Sequence, residues 1–220
     1  MKIDFVSDVV CPWCAIGLAS LQQALARLGD EVQAELHFQP FELNPQMAPE
    51  GEDITEHLSR KYGISAEQVV QNRQAIQARG KAVGFHFGAR NRTYNTFDAH
   101  RLLHWAGLEG GPHQAALKQA LLQAYHGDGE NVSDPAVLAR LAEQAGLDGA
   151  RAREILASDA YAEAVRERER FYQAQGISGV PAVIIDDRHL ISGGQPPEVF
   201  EQALRQILAA AKDEGATAAT

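Results

Sequence analysis

The residues best suited to chemistry are the chain's only two cysteines, in the run Cys11-Pro12-Trp13-Cys14. The thiolate is the reactive form of cysteine, and an ordinary pKa of about 8.5 leaves little of it at neutral pH. A cysteine at a helix start meets unpaired backbone N–H groups and the positive end of the helix dipole, and both favour an anion. In such motifs the pKa falls towards roughly 3.5–7. Pro12 suits the first helical turn, where the N–H it lacks would have had no partner. Cys14 follows one turn along, close enough to close a disulfide and shielded by the helix. The order assigns Cys11 as the attacking thiolate and Cys14 as the thiol that resolves the mixed disulfide.

A second signal is Gly179-Val180-Pro181-Ala182. Proline cannot donate to a sheet, so at a strand start it marks a special turn. A cis Val180–Pro181 bond beside the sulfurs would leave the Val180 backbone free to pair with an extended substrate. The plainer reading is a trans proline at a loop–strand junction.

These residues need elements to hold them. Residues 1–6 alternate as a strand, and Cys14, Leu18, Leu21, Leu25 and Leu28 recur at helical spacing until Gly29. Val32, Ala34, Leu36 and Phe38 alternate with polar residues, giving a second strand, parallel to the first through a right-handed crossover. Pro40 to Gly51 reads as a loop, and from about Ile54 to Gln175 every pattern is helical. Within it Ser65 to Gln68 has capping-box spacing, Thr96 can cap a helix, Asp134-Pro135 opens another and Asp159 begins a charged one. Ala182 to Ile185 and His189 to Ile191 then form a hairpin, and an apolar stripe from Val199 to Leu208 forms a last helix. The expected architecture is α/β: β-α-β, a large all-helical insertion, then β-β-α. Residues 1–42 and 176–212 make one discontinuous unit, 43–175 the inserted helical domain, and 213–220 a frayed tail.

Charge and composition narrow the function. The net charge of −9 disfavours nucleic acid and anionic membranes as partners, and no long uncharged apolar run is present. The start lacks the basic, apolar and cleavage segments of a signal peptide, so a cytoplasmic protein is expected. In that compartment a structural disulfide is unusual. A Cys-x-x-Cys can be half a zinc site, but structural zinc needs four ligands and no second pair exists. No metal is expected. His100 and His104 lie four apart on one helix face without the acid of a metalloprotease motif, and read as a polar face.

Cys11-Pro12-Trp13-Cys14, Gly179-Val180-Pro181 and the helical insertion resemble the DsbA-like branch of the thioredoxin superfamily. The opening "DFVSDVVCPWC", the segment from Asn95 to Arg101 and "GVPAVIID" are similar to its FrnE-type subgroup. The resemblance implies a thioredoxin-like fold and a redox-active Cys11–Cys14 disulfide with no other cofactor. It places Pro12, Trp13, Val180, Pro181, Asn95 and His100 around the substrate, and Asp4 as a possible proton acceptor on the first strand. Asp8 is a weaker candidate for that role. The implied activity is thiol–disulfide exchange on protein or small-molecule disulfides, with glutathione as a possible redox partner. The subgroup is also similar to 2-hydroxychromene-2-carboxylate isomerases and kappa-class glutathione transferases. A glutathione-dependent isomerase or transferase is therefore the alternative, although those relatives usually carry serine where Cys11 stands. A binding module that merely keeps the fold would have no use for both cysteines. Some FrnE-type relatives have a second cysteine pair near the C-terminus; with two cysteines in all, this chain has none. Oligomeric state and the direction of electron flow are not legible.

Overall fold

Four strands form one sheet in the order β2-β1-β5-β6. They are β1 (Lys2–Ser7), β2 (Glu35–Pro40), β5 (Ala182–Ile185) and β6 (His189–Ser192). The computed structural model describes residues 1–217, with side chains to residue 211. β1 and β2 are parallel, with Phe5 opposite Phe38, and α1 (Pro12–Leu28) is the crossover between them. β5 runs antiparallel to β1 and turns into β6 through Asp186 and Asp187, both at positive φ.

Strand alternation sends β1 side chains to opposite faces. Ile3 and Phe5 pack in one cluster with Ile16, Leu18 and Leu21 of α1 and with Phe200 and Leu204 of α9 (Pro197–Thr217). Val6 packs on the other face with Phe41, Ala182, Ile177 and Tyr172, the last from α8 (Ala162–Ala174). Between β2 and α8 come α2 (Ile54–Tyr62), α3 (Ala66–Ala82), α4 (Phe97–Glu109), α5 (His113–Leu122), α6 (Pro135–Gln144) and α7 (Gly149–Leu156). A π-helical turn, Gln123–Gly127, continues α5. Helices α4 to α7 enclose their own cluster around Leu102, Tyr125, Leu138 and Ile155.

Several local expectations change. The helical stretch is interrupted by a two-stranded ribbon, β3 (Glu52–Asp53) with β4 (Arg92–Thr93), too short to show alternation. The Arg92 guanidinium closes it by bonding the carbonyls of Glu50 and Gly51. Thr96 occupies the N-cap of α4 without a side-chain bond; Asn95 accepts from the Phe97 N–H instead, at 2.9 Å. α8 begins at Ala162, after a turn in which the Ala162 N–H bonds the Asp159 carbonyl. The capping box at Ser65 and the proline start of α6 form as expected. α9 runs to Thr217, into the segment expected to fray, and 218–220 lie outside the described residues. Among the described residues no helix is long and apolar enough to cross a membrane.

Candidate active site

The dithiol stands where two cores meet. Val9 and Val10 are buried in the cluster of α4 to α7, whereas Cys11 and Cys14 belong to the cluster under the sheet. The chain just before α1 is thus gripped from both sides. Cys11 is the N-cap of α1, with extended backbone, and Pro12 is its first residue. The Cys11 carbonyl accepts from the N–H groups of Cys14 and Ala15, at 3.1 and 3.4 Å. Both thiols are reduced and buried. Hydrogen bonding from the Cys14 thiol holds the Cys11 pKa below its ordinary value; the N–H groups of Cys14 and Trp13 assist, while burial and the Asp8 charge oppose. Burial, followed by the pairing with Cys11, raises the Cys14 pKa well above the ordinary value. The two thiols are therefore split in opposite directions, which suits an attacker and a reserve nucleophile.

Val180–Pro181 is a cis peptide, and the Val180 carbonyl accepts from the Cys11 thiol at 3.6 Å. Pro181 is also close to α1: a side chain on Gly17 would meet its Cγ at 3.0 Å. Trp13 is partly exposed, lies beside Gly194 and has the Arg79 guanidinium 6.0 Å from its ring centre. Tyr62, at the end of α2, is exposed, and burial and then the Cys11 charge raise its pKa.

The two carboxylates near the dithiol in sequence, Asp4 and Asp8, stand in different surroundings. Asp4 shares the Val6 face of β1, opposite Phe5, and is held by Lys2 at 2.9 Å and Gln39 at 2.5 Å. Asp8, fully buried in the turn before α1, is the carboxylate whose charge reaches Cys11. Its Oδ2 accepts from the Leu43 N–H at 2.7 Å, and its Oδ1 faces His100 Nε2 at 3.5 Å. Burial pushes the Asp8 pKa up, but His100 and the Leu43 N–H outweigh it and hold the group below its ordinary value. His100 is itself only 2% exposed, so it supports Asp8 and does not line an open cleft. Asn95 is half-buried, with its amide committed to the Met47 carbonyl and the Phe97 N–H. The His104 ring turns to Tyr161, 5.5 Å away, and not to His100's partner.

Two buried groups escaped the sequence reading. His126, on the π-helical turn, bonds the Val9 carbonyl at 2.9 Å, and burial, aided by the Arg90 charge, drives its pKa well down. Lys118 of α5 is fully buried, and burial lowers its pKa. Its signal was present as a lone cation among Leu117, Leu121 and Leu122. A surface cavity of about 480 Å³ lies next to the site, lined by Ala15, Leu18, Val83, Phe85, Gln119 and Leu122, and it touches neither sulfur.

Residues 2–205 match the DSBA-like thioredoxin domain. A probable DsbA oxidoreductase of Streptomyces coelicolor is 38% identical, with a TM-score of 0.87 over 94% of this chain and 89% of that one. An uncharacterized protein of Bacillus subtilis, YwbO, is 28% identical over 93% of this chain and 96% of its own. A 2-hydroxychromene-2-carboxylate isomerase is 18% identical, with a TM-score of 0.71 over 97% of this chain and 98% of that one, a likeness of fold.

Proposed function

The chain belongs to the DSBA-like thioredoxin domain family, and from that premise we propose that it is a thiol–disulfide oxidoreductase with Cys11 as nucleophile and Cys14 as resolving thiol. The placing of both buried thiols at one helix start, Cys11 at the N-cap and Cys14 one turn along, carries this reading, and the opposite directions of their pKa shifts agree with it. The Cys11 thiolate attacks a substrate disulfide; the new bond joins Cys11 to one substrate sulfur, and the electron pair leaves on the other. Cys14 then displaces the first substrate sulfur and closes the Cys11–Cys14 disulfide. The reverse sequence oxidises a dithiol substrate. The Val180 backbone, next to Cys11, offers pairing to an extended segment. Pro12 and Trp13 make up the rest of the rim. The partners we propose are disulfide-bearing proteins and glutathione, in the cytoplasm.

A glutathione-dependent isomerase needs one activated group at position 11 and leaves Cys14 idle. The pairing of Cys14 with Cys11 argues for the dithiol. Mass spectrometry after mixing with oxidised glutathione tests the reading. Cys14→Ser is expected to accumulate a glutathione adduct at Cys11, and the wild type to pass through it to the internal disulfide. Full exchange activity in Cys14→Ser without an adduct, or isomerisation of electrophiles by a wild type inert to disulfides, overturns the proposal.

A further inference from the structure

Lys118 sits where a lysine is rarely found. On α5 it shares a face with Ala115 and Leu122, three residues before it and four after. Both of those residues pack against the cluster that contains Cys11 and Cys14, so Lys118 is directed at the same cluster. The side chain is fully buried, and among the described residues its Nζ has no hydrogen-bond partner. Cys14 of α1, Cys11 at the helix N-cap and Asp8 just before it act on Lys118 with charges that favour the ammonium, but burial is the larger influence and lowers its pKa; His126 of the π-helical turn is the other titratable group around it, with His100 of α4 behind Asp8. A buried ammonium without partners is costly, and proteins relieve that cost by letting the group give up its proton. A neutral amine beside a thiol is a base.

We propose that Lys118 is the internal proton acceptor for Cys14 in the resolving step, an inference that rests on the dithiol reading above. In the mixed disulfide, the Cys14 proton passes to the neutral Lys118 amine as the Cys14 sulfur bonds to Cys11. The bond between Cys11 and the substrate sulfur breaks, and its electron pair leaves as a substrate thiolate. The Lys118 ammonium then gives its proton to that thiolate. The products are the Cys11–Cys14 disulfide, a substrate thiol and a neutral lysine, so atoms and electrons balance with the substrate disulfide as sole oxidant. The timing is favourable. Once Cys11 is tied in a mixed disulfide, its thiolate no longer helps to hold the proton on Cys14, and burial is the main effect left to do so.

Single-turnover mixing of reduced protein with oxidised glutathione, quenched in acid and read by mass spectrometry, follows adduct formation and adduct resolution separately. In Lys118→Met, resolution is expected to slow by about 100-fold or more at pH 7. The deficit should shrink as pH rises and Cys14 ionises unaided. Lys118→Arg keeps the charge but cannot lose a proton, and it is expected to stay slow. Resolution at the wild-type rate in Lys118→Met overturns the proposal, and so does full rescue by Lys118→Arg, which would reduce the role to fixed charge. Nitrogen-15 NMR of the lysine side chains in wild-type protein covers the case in which neither variant folds. Lys118 should be a neutral amine at pH 7, and an ammonium that persists at that pH overturns the inference. Failure of Cys14→Ser to trap an adduct sinks the dithiol reading itself. Trapping there with normal resolution in Lys118→Met sinks only the role of Lys118.

Discussion

The Cys11 thiol donates to the Val180 carbonyl at 3.6 Å, although 169 positions separate the two residues. The contact brings the start of α1 against the start of β5, so the Cys11 sulfur and the Val180 backbone stand side by side. A thiolate there would face a carbonyl oxygen, and its stabilisation must come from the Cys14 thiol and the first N–H groups of the helix.

Selective alkylation follows from the split thiol pKa values. At neutral pH, iodoacetamide should label Cys11 in folded protein and leave Cys14 unmodified until the pH is raised well beyond the range that saturates Cys11. Peptide mapping checks the order. Cys14 labelled first would exchange the two roles.

Asp8→Asn should make Cys11 more reactive. The Asp8 charge raises the Cys11 pKa, so its removal lowers that pKa further and enlarges the thiolate fraction on the acid side. Faster alkylation than wild type is expected at pH 6, with the gain shrinking as the pH rises and Cys11 ionises in both proteins. Asp4→Asn, on the opposite face of β1, should leave the rate within a factor of two of wild type.

His126 should make stability depend on pH. Its folded pKa lies well below the ordinary 6.5, so under acid conditions the unfolded chain takes a proton that the folded one refuses. Stability is therefore complete above about pH 6.5 and declines below it, by up to ~1.4 kcal/mol per pH unit from this group. His126→Phe should lose about 1 kcal/mol at pH 8, through the bond to Val9, yet show a flatter decline between pH 6.5 and 5. Thermal melts across that range measure it.

Gly194→Ala should disturb the site without touching a sulfur. The added carbon would lie 2.8 Å from the Trp13 carbonyl oxygen and 3.6 Å from the Gly17 nitrogen, so the first turn of α1 must shift. A loss of about 1–3 kcal/mol is expected, together with altered Trp13 fluorescence.

Arg101→Met should separate stability from chemistry. The buried guanidinium bonds the Ala160 carbonyl at 2.9 Å, Asp98 at 2.8 Å and the carbonyls of Ile155 and Ser158, tying α4 to the connection between α7 and α8. Leaving those acceptors unpaired should cost about 2–4 kcal/mol in denaturant unfolding. Alkylation of Cys11 in the protein that remains folded should be unchanged.

Local order along the chain was enough for the sequence by itself to determine the strand–Cys11–helix opening, the parallel β1–β2 pair and the returning hairpin. Each rests on spacing, capping or a turn within a few residues, and the helix start orients its own N–H groups wherever it lies in the molecule. Only the tertiary structure decided which side chains share the dithiol's surroundings. Alternation on β1 tells that Asp4 and Phe5 part company, but not which face receives Cys11. Helical spacing puts Lys118 between Ala115 and Leu122, but not that their face meets α1. Asn95 and His100 bear polar side chains that suit a cleft equally well until Met47, Phe97 and Asp8 close around them. These choices depend on contacts between residues dozens of positions apart, made when whole faces pack, and no local pattern encodes which distant face arrives.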